Sequence, residues 1–221
     1  MAVHRVTKGL KLPIAGEPVQ TIDTARPPTR VAVIGYDYHG MRPTLFVREG
    51  DTVKRGQAIF EDKKTPGVIY TAPAAGKVVA VNRGEKRVFQ SLVIELSEAE
   101  RGGRVGADDE VAFEAYSGKD PAGLSRDDIT ALLTESGLWT AFRMRPYSKV
   151  PQPGTMPHSI FVTAMDSNPL APSMETILKG QEDDFARGLI CVAKLTEGRT
   201  YLCKAPGSAI PANPNTGITI E

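Results

Sequence analysis

The feature that most constrains this chain is how finely residues 31–96 are divided. Six short runs rich in β-branched or aromatic residues occur at Val31–Ile34, Pro43–Val47, Gln57–Phe60, Val68–Thr71, Lys77–Val81 and Val88–Leu96. Gly50-Asp51, Arg55-Gly56, Pro66-Gly67, Ala75-Gly76 and Arg83-Gly84 punctuate the same stretch. Turn residues this closely spaced leave no room for a helix of ordinary length, so the segment predicts short strands closing into a small barrel or sandwich. Gly (21) and Pro (17) are frequent in the 221 residues, but too few for a low-complexity or collagen-like chain. A 41% hydrophobic content supplies a core for one large or two small domains.

The rest of the chain reads differently. Ser97 to Asp120 is polar and aperiodic, the pattern of a linker or surface excursion. Ser125 with Asp128 forms a capping-box start, with Asp in place of the usual Glu. Ile129, Leu132, Leu133 and Ser136 then share a helix face, and Gly137 supplies the stop. Ser159–Met165 does not alternate and predicts a strand buried on both faces. Helical pattern runs from Ser173, breaks near Gly180 and resumes to Leu195, with Phe185, Leu189, Val192 and Ala193 in phase. Arg199–Lys204 predicts a second strand, so the unit is βαβ with parallel pairing and a right-handed connection. Gly217–Glu221 is one further strand-like stretch. A single βαβ unit does not make a stable doubly wound sheet. Either the α/β domain is incomplete in these residues, the preferred expectation, or it borrows strands from earlier in the chain.

Charge and special residues bound the partners. Lys and Arg number 27 against 26 Asp and Glu, a net charge of +1, which provides no global field for nucleic acid or anionic lipid. No run approaches the ~20 apolar residues of a membrane span, and Met1–Lys8 has no signal-peptide core. The expectation is a soluble, cytoplasmic chain that reaches a membrane only through a partner. Cys191 and Cys203 form no C-x-x-C, and His4, His39 and His158 are scattered, so no metal site is expected.

The most informative run is Val47-Arg-Glu-Gly-Asp-Thr-Val-Lys-Arg-Gly-Gln-Ala-Ile59, followed by Thr71-Ala-Pro-Ala-Ala-Gly-Lys-Val78. Gly50 and Gly56 allow tight turns, Asp51 can close one through its side chain, and Ala72-Pro73 with Gly76 turns the chain back. This G-D-x-V-x-x-G-Q and A-P-x-x-G-x-V pair resembles the biotinyl/lipoyl barrel-sandwich domain. The expected fold is therefore α+β to α/β in two domains. Residues 1–100 form a lipoyl-like but unmodified barrel-sandwich hybrid, and residues 101–221 form a linker and a partial, truncated Rossmann-like α/β domain. In the carrier family a modified lysine stands between the two motifs, where this chain reads Glu61-Asp62-Lys63-Lys64-Thr65-Pro66-Gly67. The inserted Pro66-Gly67 lengthens the tip, so a charged surface turn is expected there, with a lipoyl- or biotin-like carrier or a ligand-free scaffold module as the alternative.

No Gly-x-Gly-x-x-Gly follows Ser159–Met165, which disfavours self-standing dinucleotide binding. Two segments mix aromatics with cations or His: Gly35-Tyr-Asp-Tyr-His-Gly-Met41, and Gly137 to Lys149, which holds the only Trp. Rings beside cations can stack on a planar ligand and donate to its carbonyl oxygens, or can simply pack one domain on another. Asp166 and Asn168 end a strand where open α/β sheets place ligands, or close a turn onto the next helix.

Several longer runs agree with one family. They are Lys8-Gly-Leu-Lys-Leu-Pro-Ile-Ala-Gly16, Gly40-Met-Arg-Pro-Thr44, Phe60–Val68, Thr71–Lys77, Arg83-Gly-Glu-Lys-Arg-Val88, Ser136-Gly-Leu-Trp-Thr-Ala141, Arg145-Pro-Tyr-Ser-Lys-Val150 and Phe161–Leu170. The chain resembles, from residue 8 to about 204, the A subunits of bacterial Na⁺-translocating NADH:quinone reductases. Two departures are Tyr36-Asp37-Tyr38-His39 in place of a more acidic loop and Cys191 at an aliphatic position.

The resemblance implies a peripheral subunit on the cytoplasmic side of the bacterial inner membrane, touching the membrane through partner subunits. Those partners would hold the flavins and iron–sulfur cluster, while this chain would bind no cofactor and would be inactive alone. Its implied role is to help bind ubiquinone as substrate and to contribute to reducing ubisemiquinone to ubiquinol, coupled to Na⁺ export. The candidate quinone residues are Tyr36, His39, Met41, Phe142, Arg143, Arg145, Tyr147 and Lys149, with Asp166 and Asn168 as a secondary pocket. Family chains are longer, which makes a fragment the expected form.

Overall fold

A computed structural model describes residues 14–166 and 168–212, and residues 218–220 as backbone. Seven strands build the first unit: β1 (Arg30–Ile34), β2 (Pro43–Leu45), β3 (Thr52–Val53), β4 (Ala58–Asp62), β5 (Ile69–Thr71), β6 (Gly76–Arg83) and β7 (Phe89–Leu96). They form two antiparallel sheets, ordered β1-β7-β6-β3 and β2-β4-β5. The six expected strands are all present, with no end shifted by more than two residues. The two-residue β3 carries too little pattern to be read from sequence.

The two sheets share one core. Leu92, Ile94 and Leu96 on β7 are buried at every second position, the period of a strand with one wet face. Leu92 and Ile94 share a core with Ile59 and Phe60 of β4, Tyr70 of β5 and Val68 just before it. Phe60 stacks on Tyr70 at 4.5 Å between centroids and meets Phe89 edge-on at 5.3 Å. Gly50 (φ 95°) and Gly56 (φ 79°) occupy the left-handed region, which explains glycine at both turns.

The stretch expected to be a linker or surface excursion is bonded back to the barrel. Ser97 caps the short helix α1 (Glu98–Arg101) by accepting from the Glu100 amide. The Glu100 side chain, only 6% exposed, pairs with Arg55 at 2.7 Å and accepts from the Ala75 amide at 2.7 Å. Backbone bonds join Arg55 to Asp109 and Val111. Hydrogen bonding from Arg55 holds the Glu100 carboxyl below the usual carboxylate range, and the Ala75 amide adds to it. A depressed folded-state pKa gives stability that is present above the unfolded value near pH 4.5 and is lost as pH falls through the folded value. Glu100→Gln should therefore cost roughly 2 kcal/mol at neutral pH, and its deficit should shrink on acidification below pH ~4.5. Urea unfolding of both proteins between pH 3 and 7 measures this.

Helix α2 (Arg126–Glu135) starts at the capping box read from sequence: Ser125 and Asp128 bond each other's backbone reciprocally. The Ser125 hydroxyl holds the Asp128 carboxyl below its ordinary range. Gly137 (φ 78°) stops the helix, and Leu138–Ala141 forms a 3-10 turn. Ile129, Trp139, Val150 and Leu195 join the barrel's own core. Lys194 ties the next unit to this one, its Nζ donating to the carbonyls of Pro121, Ala122 and Leu124 at 2.7–3.0 Å.

The second unit contains β8 (Ser159–Ala164), α3 (Met174–Leu178), α4 (Glu182–Ala193), β9 (Arg199–Lys204) and β10 (Ile218–Ile220). Its sheet is parallel throughout, ordered β10-β9-β8, as the strand–helix–strand pattern predicts. Leu189 of α4 packs with Ala164, Leu202 and Ile210. Among the described residues this sheet takes no strand from the barrel. The expectation of burial on both faces of β8 is corrected. Phe161 is 65% exposed and Thr163 is exposed, while Ile160, Val162 and Ala164 face inward. An apolar side chain can sit on an uncovered face, so the lack of alternation did not report burial.

Candidate functional site

The two aromatic and cationic segments, about a hundred residues apart in sequence, meet on the barrel. The first leaves β1 as a 3-10 turn over Gly35–Asp37. Gly35 lies so close to Phe89 that a Cβ would strike the Phe89 carbonyl oxygen. The second is anchored by Trp139, 3% exposed, whose Nε1 donates to the Pro151 carbonyl at 2.8 Å. Phe142 meets the Trp139 ring edge-on at 5.2 Å.

Arg143 joins the segments. Its guanidinium lies over the Tyr38 ring, 5.1 Å from the centroid. It donates to the carbonyls of Thr140, Phe142 (2.9 Å) and, across the junction, Asp37 (3.2 Å). Tyr38 stands edge-on to Tyr70 at 4.7 Å, so an aromatic column runs from Phe60 in the core out to Arg143. The Tyr70 hydroxyl is buried with no hydrogen-bond partner among the described residues. Burial pushes its pKa up, the neighbouring Asp62 adds to the shift, and Tyr70 stays neutral.

Beyond Arg143 the chain makes a loop closed by the Met144 amide donating to the Lys149 carbonyl at 2.7 Å. Arg145 donates to the Ser148 hydroxyl at 2.7 Å, and the Lys149 stem passes against Gly40. Met41 and Phe142 are half-buried on the barrel core.

The structure thus brings Met41, Phe142, Arg143 and Lys149 into one neighbourhood. Tyr36 (71% exposed), Tyr147 (68% exposed), His39 and Arg145 stand at its rim, facing solvent. Tyr38 is not among the candidates that residue types suggest, although it lies inside the segment singled out. Its signal is the alternation of Tyr36 and Tyr38, which points one ring outward and the other onto the barrel. Asp166 and Asn168 stand apart from this site. The Asp166 Oδ1 accepts from the Asn168 amide at 2.9 Å and its side chain at 2.7 Å, so the pair closes a turn at the end of β8.

The arrangement offers a planar ligand an aromatic surface and several cations. The Arg143 guanidinium spends three of its five N–H groups on backbone carbonyls and keeps two. Lys63 and Lys64 lie in the exposed β4–β5 turn, whose backbone is tied down by Asp62 and Arg42. No three His, Cys, Asp or Glu side chains converge as a metal site would need among the described residues. No helix among them is long and apolar enough to cross a membrane.

Fold and site define a barrel-sandwich module of the biotinyl/lipoyl type joined to an α/β unit, with an aromatic–cationic junction on the barrel. Residues 4–97 match the family described as the NqrA N-terminal barrel-sandwich hybrid domain, and residues 124–221 match the NqrA second alpha/beta domain. The chain belongs to the NqrA family, the A subunits of Na⁺-translocating NADH-quinone reductases. Relatives that carry this name include one from Marinomonas sp. (strain MWYL1), 52% identical over 219 residues, covering 99% of this chain and 47% of the relative. The Cellvibrio japonicus (strain Ueda107) relative is 48% identical over 217 residues, covering 98% of this chain and 46% of its own. One from Actinobacillus pleuropneumoniae serotype 5b (strain L20) is 51% identical over 219 residues, covering 98% and 47%. The chain spans about half the length of the curated relatives it matches.

Proposed function

We propose that this chain serves in a Na⁺-pumping NADH:quinone reductase as a peripheral, cytoplasmic-side subunit that helps hold ubiquinone while it is reduced. The observation that carries this reading is the junction of residues 35–41 and 139–149, where Arg143 is stacked on Tyr38 and bonded to Asp37. Met41 and Phe142 give a quinone ring an apolar support. Lys149, Arg145 and the free N–H groups of Arg143 offer donors to a ring oxygen on which negative charge develops as ubisemiquinone becomes ubiquinol. Redox groups of partner subunits supply the electrons in this reading, and this chain binds and orients.

Titration of the chain with a water-soluble ubiquinone analogue tests it. Trp139, the only tryptophan, lies under Phe142 and reports the event by fluorescence. Saturable quenching is expected, and Arg145→Ala with Lys149→Ala should raise Kd about tenfold or more, since each removes a charge-assisted donor at the rim. Unchanged affinity in that variant removes both cations from the site, and the absence of saturable quenching places the quinone elsewhere. Intact mass should equal that of the unmodified sequence, while an adduct on Lys63 or Lys64 would establish the carrier alternative.

A further inference from the structure

We infer that the exposed cations gathered around the end of β4 form a docking surface for an acidic stretch of a partner polypeptide. The β4–β5 turn, the segment after Tyr38 and the loop after Phe142 come together there. The Asp62 carboxylate accepts from the amides of Arg42 and Lys64, each at 2.9 Å, and the Lys63 amide donates to the Arg42 carbonyl at 2.8 Å. At the other end of the turn, Gly67 faces the Pro153 ring. Lys149 passes against Gly40, and Arg143 reaches the Asp37 carbonyl. Arg42, Lys63, Lys64, Arg143, Arg145 and Lys149 are all exposed.

These cations are short of countercharge. The ion pairs among the described residues are Arg30–Glu95, Arg48–Asp51 and Arg55–Glu100, and none of the gathered cations takes part. No Asp or Glu occurs between Glu135 and Asp166, or from Tyr38 to Arg48. The carboxylates next to the turn are bonded to backbone: Asp62 is 4% exposed, and Glu61 accepts from the Gly67 amide at 2.7 Å. Asp37 is the exposed carboxylate of the segment before Tyr38. A chain of net charge +1 therefore concentrates like charges in one neighbourhood. Their mutual repulsion is relieved when a surface of opposite charge is laid on them.

The way the cations are held selects a polypeptide over a lipid surface. Arg143 is pinned by three carbonyls and the Tyr38 ring, and Arg145 by the Ser148 hydroxyl. A guanidinium in a fixed position fits a carboxylate fork to fork, and its ordering cost is already met before binding. Mobile headgroups need no such fixed donors. A loop seated in a bilayer also needs Trp, Phe or Leu to enter the acyl boundary. None of those is exposed in residues 35–42, 62–67 or 142–149. The exposed rings are Tyr36 and Tyr147, and Tyr beside Arg is the composition of a protein interface.

Carbodiimide cross-linking reads the carboxylates directly. The reagent activates an Asp or Glu side chain, a lysine amine displaces it to form an amide, and the urea leaves, so only touching pairs are joined. Membranes of cells that produce this protein are treated and analysed by peptide mass spectrometry. Lys63 or Lys64 should be joined to an Asp or Glu of another polypeptide, within a stretch that holds several acids. Lys63→Arg with Lys64→Arg should abolish that cross-link and leave the chain bound, since charge is kept and the amine is lost. Arg42→Glu with Lys63→Glu and Lys64→Glu should lower the bound share about tenfold or more at about 0.15 M salt. Cross-links of Lys63 and Lys64 confined to this chain overturn the proposal, as does a charge-reversed protein that stays bound. Purified chain that sediments with phosphatidylglycerol–phosphatidylethanolamine vesicles, and ceases to on the same reversal, overturns it in favour of lipid. Arg42, Lys63 and Lys64 are not quinone candidates, so the quinone titration and the cross-link succeed or fail separately.

Discussion

Trp139→Ala is expected to unfold the candidate site and to cost about 3–5 kcal/mol of stability. The indole is 3% exposed and its Nε1 donates to the Pro151 carbonyl at 2.8 Å. The substitution leaves a large void in the barrel core and an unpaired carbonyl at its margin. It also removes the edge-on support of Phe142, whose carbonyl accepts from Arg143. The loop carrying Arg145 and Lys149 hangs from that point. Denaturant unfolding should show a lower midpoint, and a quinone analogue should lose binding beyond what the lower folded fraction explains. Trp139→Phe retains most of the volume and loses the hydrogen bond, so it should recover more than half of the stability. A Trp139→Ala protein with wild-type stability would show that the 137–151 segment is not anchored through this ring.

Gly76→Ala should be the most damaging single-methyl change in the barrel. A Cβ at this position would strike the Glu95 carbonyl oxygen and crowd Ile94. Both neighbours belong to β7, which is locked in register with β6 and β1, so backbone on neither side can withdraw. Overpacking against backbone is expected to cost about 3 kcal/mol or more. The same methyl at Gly50 meets open space, but φ of 95° makes that substitution a matter of backbone strain, about 1–2 kcal/mol. Thermal melts of the two variants separate the mechanisms: Gly76→Ala should lower Tm further than Gly50→Ala. The reverse order would mean that β6 and β7 can part at Gly76 without loss of the sheet. Gly76 therefore has a different role from the turn expected of it, because it opens β6 as a close-packing residue and is not in the left-handed region.

Local features were the most legible in the sequence. The capping box at Ser125 and Asp128 and the Gly137 stop involve atoms a few residues apart, and the structure reproduces them. Strand positions followed from β-branched runs between turns for the same reason. Face assignment in the second unit was less legible. Phe161 reads as core by residue type, yet burial depends on whether another element covers it, and no local pattern encodes that. The polar stretch after Ser97 reads as a loose connection. Its attachment rests on Arg55 and Glu100, forty-five residues apart, an ion pair that periodicity cannot reveal.

The candidate site divides in the same way. Residue types alone marked both segments, the first by aromatic rings beside His39 and the second by aromatic rings beside two arginines and a lysine. Their meeting was a tertiary event. Arg143 reaches Asp37 and Tyr38 only because Trp139 is seated in the barrel core and Gly35 lets β1 turn close against Phe89. By itself the sequence determined the turns, the caps, the strand–helix–strand order and the family, all set by short-range stereochemistry or by long motifs. The tertiary structure decided which cations are spent on backbone carbonyls, which rings form the column to Tyr70, and which sheet face remains open. Those outcomes depend on contacts between distant residues, which form only when the core that brings them together is packed.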